Sequence, residues 1–213
     1  PISGIISYIN DESKVNGSIK IDEFFISEDL FSQTPLKGKF SKISGKVDFE
    51  SVKGNINGQL SISNKLGLEM SGDINVIKKD SNILLRSLNL FGEDSRLKVN
   101  GVWENSRRLS GYFYLDSLDL SRWLIEQEPT LLSGMAILEG TLDNKQALED
   151  IELTLEIAEY GVFANYESSF HGTVIYSDSI ISTVDPVMLV IGESILSIDG
   201  NTDLKTRDID VIA

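Results

Sequence analysis

The chain has no cysteine and one histidine, His171, among its 213 residues. The first absence removes disulfides and thiolate metal sites, and it does not assign a compartment. The second leaves little for acid–base chemistry. His171 could join Asp178 or Asp185 in a triad, but no nucleophile elbow accompanies it. A half-exposed residue beside Gly172 at a strand start is the plainer reading. Long apolar runs are missing too: the best, Pro186 to Ile191, is far short of the eighteen or more residues of a membrane span. Basic residues are few, 19 Lys and Arg against 33 Asp and Glu, for a net charge of −14. Arg107-Arg108 and Lys78-Lys79 are isolated pairs without interleaved aromatics, so no nucleic acid is expected as a partner. The chain opens on Pro1 with no signal-type segment, and it reads as an excised piece or a mature fragment.

No glycine loop for phosphate and no helix-borne metal motif is present, so no cofactor, no metal and no catalysis are expected. Asp199-Gly200-Asn201-Thr202-Asp203 imitates the start of a calcium loop, with Asp210 in the closing position. However, Leu204 stands where the sharp turn needs glycine, and Lys205 and Arg207 add positive charge, so a hairpin turn is the better reading. Asn16-Gly17-Ser18 matches a glycosylation sequon but is equally explained as a hairpin turn. Paired acids such as Glu93-Asp94 and Asp22-Glu23 read as solvated charge at turns and strand ends.

What the chain does have is repetition. Ile21 to Pro35 recurs without a gap as Leu115 to Pro129, pairing Phe24 with Leu118, Ser27 with Ser121, Leu30 with Leu124, Gln33 with Gln127 and Pro35 with Pro129. Ile43-Ser44-Gly45 then answers Leu132-Ser133-Gly134, and Ser71 to Gly101 answers Phe170 to Gly200. Units of about 90 to 100 residues, longer than most solenoid repeats, follow. Residues 1–20 end a preceding repeat, 21–114 form one unit and 115–213 the next, all within one continuous β-structure.

Period-two alternation recurs along the chain, most strictly in Leu153 to Ile157, and also in Ser18 to Ile21, Lys46 to Phe49, Gln59 to Ser63 and Arg96 to Val99. Turn formers at Asn16-Gly17, Asn57-Gly58, Ser71-Gly72, Asn100-Gly101 and Asp199-Gly200 divide these runs, predicting roughly fifteen consecutive antiparallel strands. One short helix per repeat is expected inside the echoed segment, near 28–33 and 122–127, capped by Ser27 or Ser121 and ended by Pro35 or Pro129. Trp123 would lie on the buried side of the second helix; Trp103 could face either side.

The expected fold is all-β, an elongated antiparallel meander curled into an open groove. At about 4.8 Å per strand it would extend roughly 70 Å. The apolar face would be lined by Ile19, Ile21, Val47, Phe49, Leu60, Ile62, Leu68, Met70, Leu97, Val99, Leu153, Leu155, Ile157, Leu196 and Ile198. From alternation alone, an ordinary dry core is the favoured reading of these residues.

The motif of Leu118-Asp119-Leu120 leading to Leu124, then Leu132 to Leu142, Phe170 to Ile180 and Gly192 to Leu204, resembles the periplasmic repeats of TamB and the wider AsmA-like proteins of Gram-negative envelopes. The resemblance spans the chain from about residue 17 and rests on motif order and on the echo. It implies a middle segment of a hydrophobic conduit moving phospholipids between inner and outer membranes, with the fifteen residues above as acyl-chain contacts. It also implies a periplasmic location, a parent chain anchored in the inner membrane, and an outer-membrane barrel partner met through regions outside this chain. Two alternatives stay open: a scaffold assisting assembly or secretion of outer-membrane β-barrel proteins by pairing at its strand edges, and a structural β-solenoid or adhesin segment with a packed interior.

Overall fold

A computed structural model of the chain describes residues 2–9, 14–24, 40–105, 107–125, 127, 129–142, 148–163, 166–206 and 209–212. The first strands are β1 (Ile2–Ile9), β2 (Lys14–Phe24), β3 (Ile43–Val52), β4 (Asn55–Asn64) and β5 (Glu69–Lys79). Next come β6 (Asn82–Phe91), β7 (Arg96–Glu104), β8 (Arg108–Leu118), β9 (Thr130–Leu142) and β10 (Leu148–Phe163). The last are β11 (Tyr166–Ser177), β12 (Ile180–Thr183), β13 (Val187–Ile191), β14 (Ser194–Asp203) and β15 (Ile209–Ile212). All fifteen belong to one antiparallel sheet in which β1 to β12 follow chain order. β12 and β13 lie end to end, both between β11 and β14, and Pro186 falls in the gap, where a residue without an N–H cannot continue the ladder. β15 pairs with β14, and among the described residues no pairing joins β1 to the far edge, so the sheet they form is open.

The repeat is visible in backbone detail. Each echoed segment begins three residues before a strand ends, Ile21 in β2 and Leu115 in β8. At both places the register slips, between Ile21 and Phe24 and between Leu115 and Leu118. The bulged residues Glu23 and Ser117 both have positive φ, 51° and 53°. Their amides donate to hydroxyls on the following strand, Glu23 N to Ser44 Oγ at 3.3 Å and Ser117 N to Ser133 Oγ at 2.9 Å. Ser44 and Ser133 are themselves echoed residues, so two sequence correspondences are closed by one hydrogen bond in each unit.

Two expectations are corrected. The glycines of Asn16-Gly17, Asn57-Gly58, Ser71-Gly72, Asn100-Gly101 and Asp199-Gly200 lie inside strands, not at hairpin turns. The chain reverses instead at positive-φ residues such as Lys53-Gly54, Asp80, Asn105 and Asp178-Ser179. Nor does the second unit hold the expected short helix. Among the described residues the echoed segment of the second unit holds only a 3-10 turn, Leu120–Arg122, in place of a helix near 122–127. The expected helix at 28–33 lies outside the described residues.

The strand glycines have a physical reason. Residues directly paired across antiparallel strands share a face. The register therefore puts Gly17, Gly45, Gly58, Gly72, Gly101, Gly111 and Gly172 on the same side as Val47, Leu60 and Val99. A methyl built on Gly72 would lie 1.8 Å from the Asn89 carbonyl oxygen, on Gly101 2.6 Å from that of Ser110, and on Gly58 2.8 Å from that of Asp48. Each carbonyl belongs to the neighbouring strand, which approaches so closely at these pairs that only glycine fits. Burial agrees: along β4, Ile56, Gly58, Leu60 and Ile62 are half-buried while Asn57, Gln59, Ser61 and Ser63 are exposed.

Candidate functional site

The candidate site is the apolar face. Following the register, Ile19 pairs with Val47, Val47 with Leu60, Ile62 with Met70, Leu97 with Leu115 and Val99 with Phe113. Beyond β9, Leu155 and Leu153 meet Gly172 and Val174, and Leu196 and Ile198 meet Leu189 and Val187. Ile21 and Phe49 lie on the same side as Ile19 and Val47 by strand alternation. Fourteen of the fifteen predicted residues thus share one face; Leu68, just before β5, joins it by packing with Met70. Only Leu68 and Met70 are buried. Leu196 is exposed, and the other described side chains, Ile19, Ile21, Val47, Phe49, Leu60, Ile62, Leu97, Val99, Leu153, Leu155 and Ile198, are half-buried. The side chain of Ile157 lies outside the description.

The same registers add residues that sequence reading missed: Ile74, Leu88, Leu90, Phe113, Leu115, Leu138, Val174 and Leu189. Alternation in Leu88-Asn89-Leu90 was a usable signal. In Tyr112-Phe113-Tyr114-Leu115 every residue is large and apolar or aromatic, so period two is invisible and only pairing assigns the faces. Trp103, paired with Ile83 and Leu109, also falls on the apolar face and remains 38% exposed.

No second layer covers this face among the described residues; every strand belongs to the single sheet. The chain's accessible surface is 13313 Å². A compact monomer of 23.6 kDa exposes about 9,800 Å², so this fold leaves about a third more surface in contact with solvent.

One segment does fold over the end of the apolar face. Trp123 packs on a cluster of Ile43, Leu68, Met70 and Leu90, alongside Leu60, Ile62, Leu88 and Leu97. The strap that carries it is shaped by Asp119, whose Oδ1 accepts bonds from Ser121 N (3.0 Å), Ser121 Oγ (2.7 Å) and Thr130 N (3.0 Å). Burial pushes the Asp119 carboxyl up, but the Thr130 amide, the Ser121 hydroxyl and amide, and the Arg122 guanidinium together hold it below its ordinary range. The far end of the strap is tied to strands four and five positions away in the sheet. Ser41 N donates to Trp123 O at 2.9 Å, Asn64 Nδ2 to Arg122 O at 2.6 Å, and Phe40 bridges Leu124. Asn64 also donates to Ser41 Oγ and accepts from the amides of Leu66 and Leu68, joining three connections at one amide.

The other motifs weighed in the sequence do not assemble a site. His171 is exposed on the opposite face, paired with Glu156 and Met188. Asp199 to Asp203 is part of β14, with Asp199 accepting from Thr183 Oγ1 at 2.8 Å, and the turn follows at Asp203, which accepts from the amides of Lys205 and Thr206. Among the described residues no group of three or more His, Cys, Asp and Glu is placed to hold a metal ion, and no helix is long and apolar enough to cross a membrane. Comparison with protein-family models, curated proteins and solved structures finds no match to this chain.

Proposed function

We propose that the apolar face carries lipid acyl chains, and that the chain is a non-catalytic segment of a hydrophobic conduit. The observation that carries this reading is the gathering of fourteen of the fifteen predicted apolar residues on one face of a single-layered sheet, open among the described residues, most of them only half-buried. Moving some thirty methylenes through water costs roughly 25 kcal/mol at about 0.8 kcal/mol each. A continuous apolar surface removes most of that barrier while a headgroup stays in water at the rim. The resemblance to TamB and AsmA-like repeats supports the same reading and supplies its setting: phospholipid movement between the two membranes of a Gram-negative envelope, in the periplasm.

The test is Leu153→Asp with Leu155→Asp. In a dry core, two unpaired carboxylates cost several kcal/mol and unfold the domain. On an open face they reach water, so the protein is expected to stay folded by circular dichroism and to lose co-purifying lipid in native mass spectrometry. Unfolding, or undiminished lipid, would contradict the proposal.

A further inference from the structure

The strap covers the strands of the first unit, and the second unit has the same platform without a cover. Beneath Trp123, Ile43, Met70 and Leu90 are 2%, 4% and 1% exposed. Their counterparts follow from the repeat. Leu132 echoes Ile43, Phe170 stands two residues before Gly172 as Met70 does before Gly72, and Leu189 pairs with Leu196 as Leu90 does with Leu97. Leu132, Phe170 and Leu189 are only half-buried, and Leu196 is 40% exposed. Among the described residues no strap lies on them.

The sheet edge beside this platform is also incomplete. Leu97, Val99 and Gly101 of β7 answer Leu196, Ile198 and Gly200 of β14. β8 pairs along the whole of β7, from Glu104 with Arg108 to Arg96 with Asp116. Its counterpart β15 follows β14 only from Thr202 with Ile209 to Asp199 with Ile212. Along Ser194 to Ile198, β14 pairs with β13 on one side and, among the described residues, with no strand on the other. Over the first unit one continuous stretch fills both places: Phe113 to Asp116 pairs with β7, and the strap begins at Leu120.

We infer that the free edge of β14 and the platform beside it bind the leading segment of another repeat unit, of the form of Phe113 to Leu124. The occupied site selects this ligand. Its first half pairs antiparallel with the edge and turns alternate apolar residues to the platform side, as Phe113 and Leu115 do opposite Val99 and Leu97. Its second half turns at an aspartate and lays a large ring on the apolar cluster, as Asp119 and Trp123 do. A fatty chain could cover the platform, but it offers nothing to the backbone N–H and C=O groups of the edge, which only another strand satisfies. The inference is therefore independent of what the rest of the apolar face carries.

The experiment titrates the intact chain into a fluorescein-labelled synthetic peptide of residues 111–127, read by anisotropy. Saturable binding is expected. Successive amides of a strand point to opposite edges, so N-methyl groups placed on Phe113 and Leu115, or instead on Tyr114 and Asp116, should weaken binding at least tenfold in one peptide and little in the other. Trp123→Ala in the peptide and Leu196→Asp in the chain should each weaken it at least tenfold. Leu196 is exposed, so that variant is expected to keep its circular dichroism spectrum; if it does not fold, the peptide series decides by itself. The inference is overturned if the peptide does not bind, if the two N-methylated peptides bind alike, or if a scrambled peptide binds equally well. Unchanged binding to folded Leu196→Asp would overturn it too, since the peptide would then lie elsewhere on the sheet.

Discussion

Replacing Gly72 by alanine is expected to destabilise the protein, although an alanine in place of a strand glycine ordinarily gains about 0.4–1 kcal/mol through the unfolded chain. The added methyl would sit 1.8 Å from Asn89 O and 2.9 Å from the Asn89 carbonyl carbon, both backbone atoms that no rotamer change can move. Restoring ordinary contact requires β5 and β6 to part by more than an ångström, which removes roughly two ladder hydrogen bonds at about 1 kcal/mol each. Leu90, paired with Gly72 and 1% exposed, would lose part of its packing, a further cost of about 1 kcal/mol. The sum is about 3 kcal/mol, and at this chain length a fall in Tm of about 6–12 °C. The assay is urea denaturation followed by circular dichroism. Gly67→Ala is the control, with nothing within 4 Å and a φ of +84°, so that only backbone strain of about 1–2 kcal/mol applies. A Gly72→Ala midpoint equal to or above that of the parent would refute the claim that β6 approaches β5 too closely there for any side chain.

Other expectations concern the strap. Trp123→Ala should cost about 2 kcal/mol, since the ring is half-buried on the Ile43, Leu68, Met70 and Leu90 cluster, and should raise binding of an apolar dye at that end of the sheet. Asn64→Ala removes four hydrogen bonds that join three connections and should cost about 2 kcal/mol, with faster amide exchange at Trp123 and Leu68. The folded Asp119 carboxyl is held below its unfolded value, so its stabilisation is complete above about pH 3.9 and is lost as pH falls through the lower folded value. In a Trp103→Phe background, Trp123 emission should therefore shift below about pH 4, and Asp119→Asn should abolish that step.

Much of this fold was legible because it follows from period two. Strands such as Leu153 to Ile157 announce both their conformation and their buried side, and the echo between residues 21–35 and 115–129 marks equivalent strand ends six strands apart. The turns were misread because Asn-Gly and Asp-Gly carry two meanings. Here their glycines clear space for a neighbouring strand's carbonyl on the apolar side, and nothing local separates that need from the positive φ of a hairpin. The helix failed for a related reason: Asp119, not Ser121, caps the turn, and beyond Arg122 the backbone is drawn out to Ser41 and Asn64, residues remote in sequence. The placement of exposed aromatic side chains on the opposite face was not legible at all. It depends on cross-strand register, which sets Tyr112 and Tyr114 beside Asn100 and Lys98 and cannot be read from one strand.

The most direct test of the central claim uses a phospholipid with a photoactivatable group at the end of one acyl chain, incubated with the protein, irradiated and mapped by mass spectrometry. Labels are expected along the apolar rows, on residues such as Val47, Leu60, Val99 and Leu153, and to be scarce on Tyr112, Tyr114 and Met135, although these are more exposed. Labels that follow exposure on both faces alike, or no labelling at all, would contradict the claim that acyl chains lie on this side of the sheet.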